Sequence, residues 1–141
     1  MIRVVLDTSV LVSAVISPTG PNAQLFDFIA DKEIRPYITD AMLAEYREVF
    51  EYERLQYLNK RRIGLLRSIV ERASIKVKSS GRLKISGHET DNRIYECAAA
   101  AKAHYIVTEN TKHFTKPYKL TKIITARQLL RLLQADQAPT I

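Results

Sequence analysis

Ile2-Arg3-Val4-Val5-Leu6 leads directly into Asp7-Thr8-Ser9, and this N-terminal stretch decides the fold class. Its short, β-branched apolar run is typical of a strand buried on both faces of a parallel sheet. Asp7-Thr8-Ser9 offers capping side chains, and residues 10–16 continue as a short apolar helix. A strand that passes straight into a helix predicts that the rest of the chain alternates in the same way.

The remaining sequence shows that alternation. Further strands are predicted at 34–38, 74–78, 105–107 and 123–124, and helices at 40–50, 54–73, 90–103, from Asn22 and after Thr125. Pro36 indicates an edge position for the second strand, because proline cannot donate to a ladder. The pattern predicts a three-layer α/β/α sandwich with a mainly parallel central sheet and right-handed crossovers. We expect one domain, residues 1–134, and a flexible tail at 135–141.

The composition excludes several classes of protein. The chain has 141 residues, of which 46% are hydrophobic and 26% charged, so it is not disordered over most of its length. Its single cysteine, Cys97, excludes an internal disulfide framework and a cysteine-based zinc site. No apolar run approaches the ~18 residues of a membrane span, and the first residues lack the apolar region of a signal peptide. We therefore expect a cytoplasmic protein.

The charge balance indicates an anionic partner. Lys and Arg number 22 and Asp and Glu 15, so the net charge is +7. A strongly basic protein is typical of nucleic-acid binding, although a basic surface also serves solubility alone. The candidate RNA-binding residues lie in the loop after residue 109 and on the predicted helix 54–73: Lys112, Lys116, Lys119, Arg61 and Arg62.

Acidic side chains stand where α/β folds bind ligands, outside the carboxyl ends of strands. Asp7 follows the first strand, and Glu109-Asn110 follows the strand at 105–107. Glu45 lies beside the apolar stripe of its helix, and Asp91 lies in the first turn of another. Each of these side chains also suits a purely structural role. Asp7 and Asp91 are also suited to cap helices, Glu45 to lie at a rim, and Glu109-Asn110 to form a polar turn.

Together these acids predict a divalent-cation site. Neighbouring carboxylates raise one another's pKa, and Mg²⁺ or Mn²⁺ removes that penalty because it prefers oxygen ligands. Such an ion generates a hydroxide nucleophile and stabilises charge on a phosphodiester. An acidic pocket in a basic protein therefore predicts a metal-dependent nuclease whose basic flanks hold the phosphates.

Several segments resemble the PIN-domain family, in particular the small stand-alone proteins that are toxin components of toxin–antitoxin pairs. They are Val4-Val5-Leu6-Asp7-Thr8-Ser9-Val10, Leu43-Ala44-Glu45, Asp91-Asn92-Arg93-Ile94-Tyr95-Glu96-Cys97-Ala98, Tyr105-Ile106-Val107-Thr108 and His113-Phe114. Their order and spacing agree over residues 2 to about 133. The resemblance implies a compact α/β/α fold and a Mg²⁺- or Mn²⁺-dependent endoribonuclease, restrained by an antitoxin protein.

The resemblance also implies a site. By position, Asp7, Glu45 and Asp91 correspond to the family's acidic metal-site residues. In the implied mechanism Asp7 and Asp91 hold the ion, directly or through water. Glu45 binds a metal-bound water or a second ion and helps to orient or deprotonate the attacking water. The supporting hydroxyls of the family correspond to Thr8, Ser9 and Thr108.

Two departures from the family pattern concern the metal site. The family often has a fourth acid after the strand that ends in Thr108, and the corresponding residue here is Asn110, with Glu109 before it. Either residue is a candidate fourth ligand. The segment before Asp91, which is more acidic in related proteins, reads His88-Glu89-Thr90.

Other functions fit parts of the sequence. A phosphoacceptor receiver domain requires paired acids after the first strand, where this chain has Thr8-Ser9. A non-catalytic RNA- or partner-binding module with a degraded metal site is the main alternative, because of Asn110. We also expect a homodimer or a higher homo-oligomer, because the helix from Asn22 and the leucine-rich last helix carry more apolar surface than a small domain must hide.

Overall fold

The computed structural model describes residues 1–79, 81–115 and 118–137, and strands and helices alternate through them. The strands are β1 (Ile2–Leu6), β2 (Ile34–Ile38), β3 (Ile75–Lys76), β4 (Tyr105–Val107) and β5 (Lys122–Ile124). The helices are α1 (Thr8–Ile16), α2 (Pro21–Ala30), α3 (Asp40–Phe50), α4 (Lys60–Ala73), α5 (Glu89–Ala101) and α6 (Ala126–Gln137), with a 3₁₀ turn at Glu53–Leu55.

The strands form one parallel sheet in the order β3-β2-β1-β4-β5. The chain adds β2 and β3 on one side of β1 and then crosses back to add β4 and β5 on the other side. The strand order therefore reverses between β1 and β4, which is where doubly wound sheets open a ligand crevice at the carboxyl ends of their strands. The predicted α/β/α sandwich with a parallel sheet is confirmed.

The core lies against the central strands. Val4, Val5 and Leu6 of β1 are fully buried, as are Ile106 and Val107 of β4, which matches the continuous apolar runs of the sequence. Full burial of each large apolar side chain contributes roughly 1.5–3 kcal/mol. This rigid centre fixes the residues that follow β1 and β4.

Two predicted elements are corrected in the region that follows α3. The predicted helix at 54–73 is a 3₁₀ turn and a separate helix, α4, because Asn59 caps α4 by accepting a hydrogen bond from the Arg62 N–H at 3.2 Å. The third strand is two residues long instead of five. Arg54 consequently lies in the 3₁₀ turn and outside the long helix.

The prediction that Pro36 lies in an edge strand is also wrong. β2 is an inner strand that pairs with both β1 and β3. Proline is tolerated there because β3 reaches only Tyr37 and Ile38 and leaves the Pro36 side of the strand without a partner. Asn22 does not cap α2 either, since the helix begins at Pro21 with Gly20 at its N-cap.

Three further expectations concern the C-terminal tail, oligomer formation and a membrane span. Residues 135–137 continue α6, and residues 138–141 of the predicted tail lie outside the described part of the chain. Helix α2 packs against α6. Of their large apolar side chains, Phe28 is partly buried and Leu132 is 45% exposed, whereas the others are buried. That packing removes much of the surface from which an oligomer was predicted. No helix in the described ranges is long and apolar enough to cross a membrane.

Candidate active site

The crevice between β1 and β4 brings two distant segments together. The Asp7 N–H donates to the Val107 carbonyl at 2.9 Å, so the residue after β1 lies beside the residue after β4. Asp7 and Thr108 are both buried. The reversal in strand order therefore places their side chains at the same edge of the sheet.

Asp7 occupies the N-cap position of α1, but its side chain makes no capping hydrogen bond. Its Oδ2 accepts hydrogen bonds from Ser9 Oγ at 2.6 Å and from Thr108 Oγ1 at 2.7 Å. Its Oδ1 accepts none from the residues that the structure describes. The two hydroxyls orient the carboxylate and leave Oδ1 for a ligand.

The same hydroxyls hold the loop after β4. Ser9 Oγ accepts a hydrogen bond from the Glu109 N–H, and Thr108 Oγ1 accepts one from the Asn110 N–H, both at 3.0 Å. Ser9 Oγ and Thr108 Oγ1 are 3.3 Å apart. Ser9 and Thr108 therefore contact both the Asp7 carboxylate and this loop, and Thr8 lines the cleft beside them. Their supporting roles stay a prediction.

Glu45 reaches the site from α3. The phenol of the buried Tyr46 donates to the Leu6 carbonyl and fastens this helix to the end of β1. Glu45 itself is half-buried. Burial raises the pKa of its carboxyl, and the negative charges of Asp7, Glu48 and Asp91 raise it further.

Asp91 reaches the site from the first turn of α5 and is 6% exposed. Ser86 Oγ donates to its Oδ2 at 3.4 Å. Burial and the charge of Asp7 raise the pKa of Asp91, and His113, His88 and the Ser86 hydroxyl offset this only in part. Asp7, Glu45 and Asp91 thus interact electrostatically although they are far apart in sequence.

These groups line one open cleft of about 390 Å³. It contains the three acids, the two residues after Thr108, and polar groups from α1 and from the segments beside it. The side chains of both Glu109 and Asn110 are exposed at its margin. The lining residues with polar or charged groups are Asp7, Thr8, Ser9, Ser13, Glu45, Tyr52, Arg54, Thr90, Asp91, Glu109, Asn110 and His113.

The donor set fits a hard divalent cation bound partly through water. It consists mainly of carboxylate, hydroxyl and amide oxygens, which Mg²⁺ and Mn²⁺ prefer, and a cation would relieve the repulsion that raises the pKa of Glu45 and Asp91. Within the described ranges, no three Asp, Glu, His or Cys side chains form a group that could hold an ion on their own. One or two carboxylates with retained water is the usual arrangement for Mg²⁺.

The four predicted RNA-binding residues that the structure describes do not line the cleft. Lys112 and Arg61 are exposed elsewhere, and Lys119 lies over the Tyr118 ring, with its Nζ 5.3 Å from the ring centroid. The Arg62 guanidinium donates to the Ala14 carbonyl at 3.1 Å and ties α4 to α1. Lys116 lies outside the described residues. Their RNA contacts stay a prediction.

Tyr52 and Arg54 are among the cleft residues that were not predicted from the sequence. Tyr52 and Arg54 line the site, but the apolar spacing of Leu55 and Leu58 extended the predicted helix over Arg54. The break at Asn59, a good N-cap residue, is the signal that separates this turn from α4.

The loop before α5 is held by two further residues that were not predicted. Asn92 Oδ1 accepts hydrogen bonds from the N–H groups of Ile85 and Ser86, at 2.9 and 2.7 Å. Glu96 accepts from the N–H groups of Gly81 and Leu83, at 2.7 and 3.0 Å. These anchors place Ser86 beside Asp91. Their i, i+4 spacing next to the apolar stripe of α5 was the available signal.

Glu96 is a buried carboxylate with several partners. Arg93 Nη2 lies 2.6 Å from its Oε1, and the Ser79 hydroxyl donates to its Oε2. Burial raises the pKa of Glu96, but the hydrogen bonds from Ser79, Gly81 and Leu83 and the charge of Arg93 outweigh it and leave the pKa lowered. The charged form is therefore stabilised in the fold.

Known proteins are similar to this chain in sequence or in fold. An uncharacterised protein of Methanocaldococcus jannaschii, MJ1680, is 28% identical over 104 residues, which cover 72% of this chain and 67% of that protein. The crystal structure of VapBC2 from Rickettsia felis, bound to a DNA fragment from its promoter, superposes with a TM-score of 0.58 at 20% identity. The match covers 86% of this chain and 98% of the other. The family model of the PIN domain matches residues 3–112. As the resemblance predicted, the chain belongs to the PIN-domain family.

Proposed function

We propose that this protein is a Mg²⁺- or Mn²⁺-dependent endoribonuclease and the toxin component of a toxin–antitoxin pair. The observation that carries the proposal is the convergence of Asp7, Glu45 and Asp91 in one cleft at the reversal of the strand order. Membership of the PIN-domain family, whose members are generally nucleases, supports a nuclease. The net charge of +7 supports a nucleic-acid substrate.

Each acid has a distinct part in the proposed reaction. The bound ion supplies charge neutralisation at the scissile phosphate and lowers the pKa of water. Asp7, oriented by Ser9 and Thr108, and Asp91 are the residues that would hold it. Glu45 is less buried than either, and it is placed to orient the attacking water and accept its proton. Asn110 and Glu109 are the candidates for a further ligand at the margin.

The toxin role is proposed from the sequence resemblance and from the fold shared with VapBC2. A toxin requires an inhibitor, and an antitoxin segment that inserted an Arg or Lys among the three acids would displace the ion. The proposed setting is the cytoplasm, where RNA and such a partner are both present.

The alternative is a PIN-like module that binds RNA or a partner without cleaving it. The specific observation in its favour is Asn110, an amide where the family often has a fourth acid. It predicts RNA binding that does not depend on Asp7 or Asp91.

Cleavage assays on paired variants test the proposal. Purified protein is incubated with structured and single-stranded RNA in Mg²⁺, Mn²⁺ or EDTA, beside Asp7→Asn and Asp91→Asn. Asp27→Asn, an exposed aspartate of α2 outside the cleft, is the matched control. We expect metal-dependent cleavage in the wild type and in Asp27→Asn, and none in the site variants.

Cleavage that persists equally in both site variants would indicate a contaminating ribonuclease and contradict the assignment. RNA binding without cleavage in any metal, equal in all four proteins, would favour the binding module. Asn110→Asp would then test whether the missing fourth acid is the reason.

A further inference from the structure

Tyr52 and Arg54 form a pair at one margin of the acidic cleft. Both line it, and the Arg54 Cζ lies 5.2 Å from the centroid of the Tyr52 ring. Tyr52 is 39% exposed, and the Arg54 side chain is also exposed. The cation occupies one face of the ring, so part of the aromatic surface stays open to a ligand.

The short turn that carries this pair is fixed to the core. Leu55 is 1% exposed, and its N–H donates to the Tyr52 carbonyl at 2.9 Å. Gln56 Nε2 donates to the carbonyls of Phe50, at 3.0 Å, and Tyr52, at 3.3 Å. The segment is therefore held in place before any ligand binds, which lowers the entropic cost of binding.

Among the cleft-lining residues that the structure describes, Arg54 is the only Lys or Arg. Its neighbours there include Asp7, Glu45, Asp91 and Glu109, yet no carboxylate of the described chain lies within 4.0 Å of its guanidinium, and its contact there is with the Tyr52 ring. An unpaired guanidinium at the margin of an acidic site is suited to a phosphate, which it can bind through two parallel N–H donors.

We infer that Tyr52 and Arg54 bind the nucleotide next to the scissile phosphodiester, and that they select unpaired RNA. Arg54 contacts a flanking phosphate, and the open surface of Tyr52 stacks on the adjacent base. This inference rests on the proposed function, because it assigns the substrate contacts of the same cleft.

The selectivity follows from the geometry of stacking. A base in a duplex is covered on both faces by its neighbours, whereas an unpaired base can be turned out onto an aromatic ring. Such stacking is largely independent of sequence because every base has a π-face. The pair therefore predicts a preference for single-stranded RNA and not for one sequence.

Binding assays separate the two contacts. Fluorescence anisotropy is measured with labelled oligouridine and with an RNA duplex of equal length, in Mg²⁺, using an Asp7→Asn background in which the RNA stays intact. Tyr52→Ala and Tyr52→Leu should weaken oligouridine binding by about 5- to 150-fold. Tyr52→Phe should retain it, and duplex binding should be unchanged.

Arg54→Ala should instead change the salt dependence of RNA binding. Loss of one phosphate contact should reduce the slope of log K against log salt for single strands by about 0.7. Tyr52→Ala should leave that slope unchanged, since stacking releases no counterions. Tyr57→Ala and Arg127→Ala, exposed residues outside the cleft, are the matched controls, and melting temperatures check that each variant is folded.

The outcomes distinguish this inference from the proposed function. If the wild type cleaves RNA but folded Tyr52 and Arg54 variants bind oligouridine within twofold of their parent, the inference is wrong and the nuclease stands. If the wild type does not cleave but the Tyr52 and Arg54 effects are found, the contacts stand and the catalytic proposal fails. Equal losses on duplex and oligouridine would overturn the selection of unpaired RNA.

Discussion

Replacing Glu96 with alanine should destabilise the protein and release the loop that supports Asp91. The Glu96 side chain is 5% exposed and holds the loop through Gly81 and Leu83, as well as pairing with Arg93. Truncation leaves Arg93, whose side chain is 16% exposed, with only the exposed Glu89 as an ion-pair partner among the described residues. It also leaves the Leu83 N–H without its acceptor, whereas the Gly81 N–H keeps Ser79 Oγ at 3.3 Å.

The expected magnitude follows from those contacts. Removing one partner of a buried ion pair costs about 3–5 kcal/mol, and each hydrogen bond to a charged acceptor contributes about 1.5–3 kcal/mol. The sum is an upper limit, because the freed loop can detach and regain water. We expect a loss of about 3–5 kcal/mol in the free energy of unfolding, which at about 4 °C per kcal/mol lowers the melting temperature by about 12–20 °C.

Thermal and urea unfolding measure this effect, with Glu48→Ala as the control. Glu48 is an exposed glutamate of α3, and its truncation should change stability by less than about 0.5 kcal/mol. Because the pKa of Glu96 is lowered, its contribution is present above its unfolded pKa and is lost as the pH falls through the folded one. The difference from the wild type should therefore shrink on acidification. A melting temperature for Glu96→Ala within 3 °C of the control, about 1 kcal/mol, would refute this account of the loop.

Three further predictions concern the site itself. Thr108→Val removes a donor to Asp7 and should lower RNA cleavage by about 10- to 100-fold, with Thr108→Ser restoring it; unchanged kinetics in Thr108→Val would show that the hydroxyl does not position Asp7. Asp91→Asn should raise the melting temperature without metal at neutral pH by about 2–8 °C, because the raised pKa means that the charged form costs stability above the folded pKa. That gain should vanish below the unfolded pKa, and a lower melting temperature for Asp91→Asn would contradict it. Asn110→Asp should tighten Mn²⁺ binding in calorimetry, and an unchanged or weaker affinity would place Asn110 outside the metal's ligands.

The parts of the fold that depend on local sequence were predictable. β1 and β4 are short apolar runs whose last residues, Val4 to Leu6 and Ile106 to Val107, are fully buried. Asp7 and Thr108 could be placed at the edge of the sheet because each comes directly after one of those runs. Glu45 was found because helical spacing places it beside an apolar stripe. These signals need only the residues of one element and its neighbours.

What could not be predicted depends on contacts between distant elements. The loop anchored by Asn92 and Glu96 is held through its backbone N–H groups. Because every residue except proline has such a group, the residue types of the loop do not indicate these hydrogen bonds. Arg54 was assigned to a helix because apolar periodicity continues across the 3₁₀ turn. Pro36 was placed at an edge because its sequence does not reveal that the neighbouring strand is two residues long.

The contacts of surface charges could not be predicted from the sequence either, and Arg62 is an example. Its place in a basic run predicts an RNA contact, which stays a prediction, and that run does not reveal that the guanidinium donates to the Ala14 carbonyl of another helix. Composition indicates that a basic surface exists, whereas the fold decides which cations face the site.

Titration of Mn²⁺ followed by its EPR signal tests most directly whether Asp7 and Asp91 hold a divalent ion in the cleft. We predict that the wild type and Asp27→Asn bind Mn²⁺ in competition with Mg²⁺, and that Asp7→Asn and Asp91→Asn lose most of that binding. Equal Mn²⁺ binding by all four proteins, or none by the folded wild type at millimolar metal, would contradict the account.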